Sequence, residues 1–297
     1  MGSRRALIAL VLLTLIWGYN WVLTKQALDY AAPFTFAAMR AVGGTIAMFA
    51  VLIVMRRPLK LVAPMKTFWF GLFNCGLFLL FQNWALVEGG AGKTSVLAFT
   101  MPIWTLLLSW ALLKERVRGA QWLAAIGTLV GLLLIIAPWT LHAGLMSKLM
   151  SLLAAISWSV ATIMLKRWRL ELAPDLLLVT AWHMVFGSAF LVLVAAVVPE
   201  PATKWTLQFI LIFLYIVLVS TALAWFLWLY VLERLPAWQA GLSVLGVPAV
   251  AILVSRIQMG EAVEPLELAG ILLIGFGLAL LSFLNWRLGR ASARHVA

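Results

Sequence analysis

The sequence predicts an all-α polytopic membrane protein with ten transmembrane helices, arranged as two inverted five-helix repeats with both termini in the cytoplasm. Three observations lead to this fold class. Apolar residues dominate the whole chain, basic residues concentrate in alternate loops, and marked residues of the first half recur in the second. Together they indicate a bundle of helices surrounded by a bilayer, because only helices and closed barrels satisfy their backbone groups there.

The composition departs strongly from that of a soluble domain. The 297 residues are 65% hydrophobic and 11% charged, with a mean hydropathy of +1.06. A soluble domain is roughly half apolar and a quarter charged. The apolar excess extends along the whole length, so a single anchor on a soluble body does not explain it.

Ten apolar runs are long enough to cross a bilayer, which takes about 20 residues per helix. The runs are 6–25, 33–55, 67–87, 91–113, 120–138, 146–166, 175–198, 206–232, 236–257 and 265–286. The connecting loops are short, so no extramembrane domain is expected. The first run is long and lacks a small-residue cleavage site, so we expect it to remain as an uncleaved span.

The basic charge follows the topology rather than a binding partner. The net charge is +12, and most of the 22 lysines and arginines lie in the two tails and in every second loop. Basic residues accumulate on the cytoplasmic side of membrane proteins. We therefore place both termini in the cytoplasm and expect no nucleic-acid partner.

Residues of the first half recur in the second half at nearly constant shifts. The aligned pairs are Trp17 with Trp158, Lys25 with Lys166, Pro102 with Pro248, and Glu115 with Glu261. They divide the chain into two five-helix repeats, 1–141 and 142–297. Because five is odd, the second copy enters the membrane inverted. Inverted repeats with broken helices are typical of secondary transporters, whose binding site lies between the repeats.

These residues resemble the EamA-type transporters of the drug/metabolite transporter superfamily. The shared features are the five-plus-five spans, a Trp in spans one and six, Arg40 early in span two, and the Pro–Glu spacing of spans four and nine. Length and aromatic richness make the chain most similar to the bacterial aromatic amino acid exporter branch. The resemblance implies export from the cytoplasm by alternating access, in a bacterial inner membrane.

Eight residues are predicted to line a substrate cavity between the repeats. A Trp at mid-depth needs a partner or a water-filled cavity for its N–H, and helical spacing places further polar and aromatic side chains beside each Trp. The candidates are Trp17, Asn20, Thr24, Phe78, Gln82, Trp158, Thr162 and Ser243. Tyr19 and Trp21 are expected on outer faces, and Asn74 and Asn83 rank lower.

Alternative interpretations remain open for these side chains. A buried Trp can donate to a neighbouring carbonyl within a packed core. Polar residues such as Asn20 and Gln82 can join helices, each pair contributing about 0.6–2 kcal/mol.

Three residues are predicted to form hinges. Pro102 and Pro248 lie mid-span at matched positions, and proline removes a backbone donor and frees the carbonyl four residues earlier. Gly246 would loosen span nine further. A fixed kink that merely shapes the bundle is the alternative.

Charged groups predict facilitated transport rather than carboxylate-coupled transport. All ten Asp and Glu residues fall in loops or near span ends, whereas proton relays usually use acids inside the membrane. Arg40 is shallow enough to snorkel outward, and His183 is expected to be a structural contact. Glu115 and Glu261 are expected to make local ion pairs or helix-end contacts, with gate locking as the alternative.

The function expected is export of small, aromatic amino acids or related metabolites; the alternative is a broad-specificity exporter of drugs or purine-type metabolites. A non-transporting membrane enzyme is a minor alternative, because three histidines, the single Cys75 and acid-free spans offer no nucleophile with a base and no metal cluster. No cofactor is expected. The expected partners are a small-molecule substrate and the lipid bilayer, and a monomer is sufficient.

Overall fold

The computed structural model describes residues 2–115, 119–136, 144–172, 176–234 and 246–294, and within them it contains helices and no strands. The helices in chain order are α1 (Gly2–Ala27), α2 (Pro33–Val54), α3 (Pro64–Glu88), α4 (Ala91–Ala98), α5 (Met101–Leu113), α6 (Gly119–Ile136), α7 (Leu145–Arg167), α8 (Arg169–Leu172), α9 (Leu176–Val197), α10 (207–234), α11 (Gly246–Met259) and α12 (Pro265–Arg294).

Eight helical stretches are long and apolar enough to cross a membrane, and two shorter apolar helices accompany them. The shorter ones are Gly119–Ile135 and Gly246–Met259, where the predicted spans 120–138 and 236–257 run into residues outside the described ranges. The all-helical polytopic class is therefore confirmed, while the count of ten spans and the side of the termini stay predictions.

Large apolar side chains cover the outside of the bundle. Ile46, Leu123 and Phe276 are 65%, 67% and 67% exposed. In water such a surface would aggregate, but it fits a hydrocarbon environment. Smaller side chains permit close helix crossings inside: a Cβ added to Gly131 of α6 would lie 2.7 Å from the carbonyl oxygen of Gly270 on α12, and the converse distance is the same.

Helix contacts follow a paired pattern. The α1 helix packs against α10 and α11, and α7 packs correspondingly against α3 and the α4–α5 pair. The α2 helix packs against α9, and α6 against α12. The first and second halves of the chain are thus interleaved rather than side by side, and a cavity lies between them.

Three irregularities interrupt the helices beside this cavity. The α3 helix contains a π-helical turn, Leu72–Leu77, and α10 contains another, Tyr215–Leu223. The predicted span 91–113 is broken at Phe99 and Thr100, between α4 and α5, and Pro102 lies in the first turn of α5. Prolines are tolerated there because the first N–H groups of a helix have no intrahelical partner. π-helical turns widen the helix locally and are frequent at functional sites.

Candidate functional site

A cavity of about 650 Å³ lies between the two halves of the bundle and is comparable in size to small-molecule sites. The described residues that line it come from α1, α2, α3, the α4–α5 break, α5, α7, α9 and α10, with Gln121 and Leu281 from α6 and α12. Seven of the predicted site or hinge residues are among them: Trp17, Asn20, Phe78, Gln82, Pro102, Trp158 and Thr162. Their part in binding stays a prediction.

Aromatic side chains form much of the wall. The ring of Trp17 lies 6.3 Å from that of Trp225 and 5.9 Å from that of Trp228, centroid to centroid. The Trp158 ring meets Phe78 edge-to-face at 4.9 Å. All five rings line the cavity. Such surfaces can stack on a planar apolar group of a ligand.

The indole N–H of Trp17 is bonded within the protein. It donates to the carbonyl oxygen of Ser220 at 3.3 Å, and the Ser220 hydroxyl donates back to the carbonyl of Ile16 at 3.4 Å. Trp17 therefore both lines the cavity and joins α1 to the π-helical turn of α10. The Thr162 hydroxyl likewise donates to its own helix, at the Trp158 carbonyl, at 2.9 Å.

Three predicted residues that the structure describes, Thr24, Pro248 and Gly246, do not line the cavity. Thr24 is fully buried, and its hydroxyl accepts a hydrogen bond from Arg40 Nη1 at 3.3 Å. Pro248 is buried on α11, a helix that packs against α1, and a Cβ on Gly246 would lie 2.9 Å from Thr14 Cγ2. Ser243 lies outside the described residues.

The outward orientation expected for Arg40 is wrong. Its side chain is buried, lines the cavity, and also donates from Nη1 to Gln82 Oε1 at 3.5 Å. The α2 helix places Arg40 opposite α1 and α3, whose Thr24 and Gln82 supply the two oxygens. Snorkelling requires water at the membrane surface, but here the internal cavity provides the polar surroundings.

The outer-face location expected for Trp21 is also wrong. It is 3% exposed, lines the cavity, and contacts Phe99 edge-to-face at 6.2 Å. The signal was present in the sequence, because Trp21 follows Trp17 by four residues and so shares its helical face. Tyr19, by contrast, is absent from the lining and packs against Tyr215 of α10.

Several polar residues line the cavity although the sequence prediction ranked them low or missed them. Asn74 and Cys75 enter the cavity from the π-helical turn of α3, and Ser220 and Thr221 from that of α10. An apolar run carries no clear sign of a π-helical turn. Where such a turn occurs, its one extra residue rotates the following side chains by about a quarter turn, so regular helical spacing assigns them to the wrong face. His183 also lines the cavity and its Nδ1 lies 3.2 Å from the carbonyl oxygen of Val179.

The two ends of the cavity differ. At one end, Glu261 accepts hydrogen bonds from the N–H groups of Ala91 (2.7 Å) and Gly92 (3.2 Å), and Lys25 Nζ donates to the carbonyls of Leu86 (2.7 Å) and Val87 (2.9 Å). None of these residues lines the cavity. We call this the Glu261 end; among the described residues, its hydrogen bonds join the segment after α11 to α4 and join α1 to α3.

At the opposite end, Glu115, Gln121 and Lys166 line the cavity. Glu115 and Lys166 form an ion pair across α5 and α7, and their side chains are 45% and 51% exposed. This half-exposed pair marks the end at which the cavity meets the surroundings, and we call it the Glu115 end. A local ion pair is one expectation for Glu115 from the sequence. Its ion pair is made instead with Lys166, which is distant in sequence.

The lining of the cavity combines aromatic and polar groups. Aromatic rings alternate with amide, hydroxyl and guanidinium groups, and the one carboxylate among the described lining residues, Glu115, is in an ion pair. Within the described ranges, no group of three or more His, Cys, Asp or Glu could hold a metal ion. An amphiphilic small molecule with a planar apolar part and a polar head would match this lining.

Comparisons with known proteins agree with the architecture. The profile of the EamA-like transporter family matches residues 4–137 and again 145–283. The uncharacterized transporter YoaV of Bacillus subtilis is 27% identical, covering 94% of this chain and 97% of its own length. A probable amino-acid metabolite efflux pump of Escherichia coli is 25% identical over 96% and 97% of the two chains. A solved crystal structure superposes with a TM-score of 0.66 at 20% identity, covering 94% and 98%.

Proposed function

The chain belongs to the EamA-like transporter family, and on that premise we propose that it is a secondary transporter exporting small aromatic amino acids or related metabolites by alternating access. The observation that carries the proposal is the aromatic-walled cavity, which is lined by half-exposed groups at the Glu115 end and by none of the hydrogen-bonded residues of the Glu261 end, the end that we propose is closed. A site with one closed end is one state of an alternating-access cycle.

The paired organisation of the chain supports two inverted repeats as the moving units. The family profile matches each half separately, and the helix contacts of the first half have counterparts in the second. The π-helical turns of α3 and α10 occupy corresponding places as well. Two similar halves around one cavity can exchange conformations, so that the closed end becomes the open one.

Matched pairs of charged residues at the two ends of the cavity could stabilise the two conformations in turn. Glu261 and Lys25 hold helix ends at the closed end, while their sequence counterparts Glu115 and Lys166 pair with each other at the other end. We propose that the Glu115 end faces the cytoplasm, in agreement with the basic loops. The described state would then accept substrate from the cytoplasm.

Facilitated transport fits the charges better than carboxylate-coupled transport. Among the described residues that line the cavity, the only carboxylate is that of Glu115, at the rim and in an ion pair. Proton relays usually use ionisable acids deep in the membrane. A substrate gradient is therefore the proposed driving force.

Uptake into proteoliposomes tests the proposal directly. We expect labelled phenylalanine and tryptophan to enter faster than leucine or glycine, because only the first two can stack on the aromatic wall. Empty liposomes and liposomes with a heat-denatured sample are the controls. Equal rates for all four amino acids would contradict the aromatic preference. Faster uptake of a purine or a neutral aromatic drug would favour the broad-specificity alternative.

A further inference from the structure

Arg40 is a buried cation without a counter-ion among the described residues. It is 7% exposed, lines the cavity, and is absent from the ion pairs of the described chain. Its hydrogen bonds to Thr24 and Gln82 both use Nη1, at 3.3 and 3.5 Å, and both acceptors are neutral oxygens. A guanidinium has five N–H donors in a fork, so most of its donor capacity remains for a ligand.

The buried positive charge of Arg40 calls for a negatively charged partner. Burying an ion is costly unless it is paired and hydrogen-bonded, and charges inside a membrane bundle tend to mark substrate pathways. The two long contacts to neutral side chains orient the guanidinium but supply no negative charge. A planar anion of matching size, such as a carboxylate, would accept two parallel hydrogen bonds from the fork.

The side chain of Asn20 on α1 carries a hydrogen-bond acceptor that has no donor among the described residues. This side chain is 5% exposed and lines the cavity, and its Oδ1 atom has no hydrogen-bond partner within the described structure. Asn20 lies one helical turn before Thr24, which contacts Arg40, so the two polar groups are close neighbours. A buried carbonyl oxygen without a donor is unfavourable, and an ammonium group would provide that donor.

We propose that Arg40 and Asn20 form the subsite for the polar head of a zwitterionic amino acid, with Arg40 binding the carboxylate and Asn20 Oδ1 accepting from the ammonium group. Gln82 and Thr24 hold the guanidinium in place. The nearby rings of Trp17 and Trp21 flank the side chain of the ligand. The subsite rests on the proposed function, since it makes amino acids the substrate class of the same cavity.

Three phenyl compounds separate the contributions of the two residues. L-Phenylalanine carries both charged groups, 3-phenylpropionate only the carboxylate, and phenethylamine only the ammonium. Binding to the purified full-length protein is measured as the concentration dependence of its unfolding temperature, because a ligand of the native state stabilises it. We expect the wild type to bind phenylalanine most tightly and to bind both partial analogues more weakly.

Two variants should then give opposite patterns. Arg40→Gln should weaken phenylalanine and 3-phenylpropionate by about tenfold or more, as expected for a charged hydrogen bond, and should not weaken phenethylamine, whose ammonium group Arg40 repels. Asn20→Leu should weaken phenylalanine and phenethylamine and spare 3-phenylpropionate. Arg256→Gln, which removes an exposed arginine on α11, is the matched control and should change none of the affinities.

Arg40→Lys keeps the charge without the fork and should give an intermediate loss of 3-phenylpropionate affinity, so the test stands even if Arg40→Gln does not fold. The proposal is overturned if the Arg40 variants bind 3-phenylpropionate as tightly as the wild type, or if the wild type shows no affinity for it. Arg40-dependent carboxylate binding without phenylalanine uptake in liposomes would retain the anion subsite and reject the proposed transport function.

Discussion

At the scale of single residues, Trp17 and Trp158 provide aromatic surface from two different helices to one cavity. We expect Trp17→Ala and Trp158→Ala each to raise the half-saturating concentration of phenylalanine about twofold to tenfold, because an aromatic contact contributes about 0.5–1.5 kcal/mol beyond burial. Initial rates of uptake at several phenylalanine concentrations measure this change.

Trp110→Ala is the matched control for this prediction. Trp110 is 49% exposed on α5 and contacts Trp122 on α6, so its loss should leave transport unchanged.

Trp17→Phe separates stacking from hydrogen bonding, since it keeps a ring and removes the donor to the Ser220 carbonyl. If both alanine variants transport normally at normal expression, the two tryptophans act only in packing.

Helical spacing accounts for the faces of several candidate residues, while their part in binding stays a prediction. Asn20 shares the face of Trp17, and Gln82 that of Phe78, and all four line the cavity. The prediction failed for Arg40, because burial of a cation depends on the cavity that distant helices enclose. Thr24 lies on the predicted face but contacts Arg40 instead of the cavity.

At the scale of helices, the crossing of α6 and α12 depends on the absence of side chains at Gly131 and Gly270. A Cβ on Gly131 would approach the Gly270 carbonyl oxygen at 2.7 Å, whereas a Cβ on Gly127, also in α6, meets nothing within 4 Å. We expect Gly131→Ala to destabilise the protein by about 1–3 kcal/mol. Gly127→Ala should be neutral or stabilising by up to about 1 kcal/mol, since alanine favours a helix.

Unfolding temperatures of both variants in the same detergent measure this difference in sign. Equal shifts for Gly131→Ala and Gly127→Ala would mean that α6 and α12 do not cross this closely.

Glu261 should control access at its end of the bundle. Glu261→Gln weakens the hydrogen bonds to Ala91 and Gly92, because charge-assisted bonds are roughly twice as strong as neutral ones. We expect labelling of a cysteine at Thr105, a cavity-lining position, to increase about threefold to tenfold from the Glu261 side. Cys75→Ala provides the background, and mass spectrometry of intact protein in oriented vesicles measures the labelling.

Glu264→Gln is the control, because Glu264 is exposed near Glu261 and only its backbone groups are bonded within the described chain: its N–H donates to Glu267 and its carbonyl oxygen accepts from Leu268. Unchanged labelling in Glu261→Gln would reduce Glu261 to a local helix-end contact. Glu115→Gln should have a smaller effect on the described state, since a half-exposed ion pair contributes little.

The irregular parts of the helices were only partly predictable. Pro102 predicted an interruption, and the structure ends α4 at Ala98 and begins α5 at Met101. The π-helical turns of α3 and α10 had no clear sequence signal; the turn of α3 packs against α7 and α9, and that of α10 against α1 and α2. Local propensity determines where helices exist, whereas tertiary contacts determine where they deviate.

At the scale of the whole molecule, the all-helical membrane class followed from composition and run length. Hydrocarbon contact requires long apolar runs whatever the fold inside, so this level is the most predictable. The arrangement of the helices around the cavity was accessible only through the recurrence of Trp, Lys, Pro and Glu in the two halves. The closed and open ends depend on individual contacts, such as those of Glu261, and required the structure.

The central claim is that the two halves carry an aromatic amino acid across the membrane by exposing one site alternately to each side. Counterflow in proteoliposomes tests this most directly. Vesicles preloaded with unlabelled phenylalanine should transiently concentrate labelled phenylalanine from outside, with or without a protonophore, because exchange through one alternating site needs no proton gradient. Absence of counterflow, or its abolition by the protonophore at an unchanged phenylalanine gradient, would contradict the account.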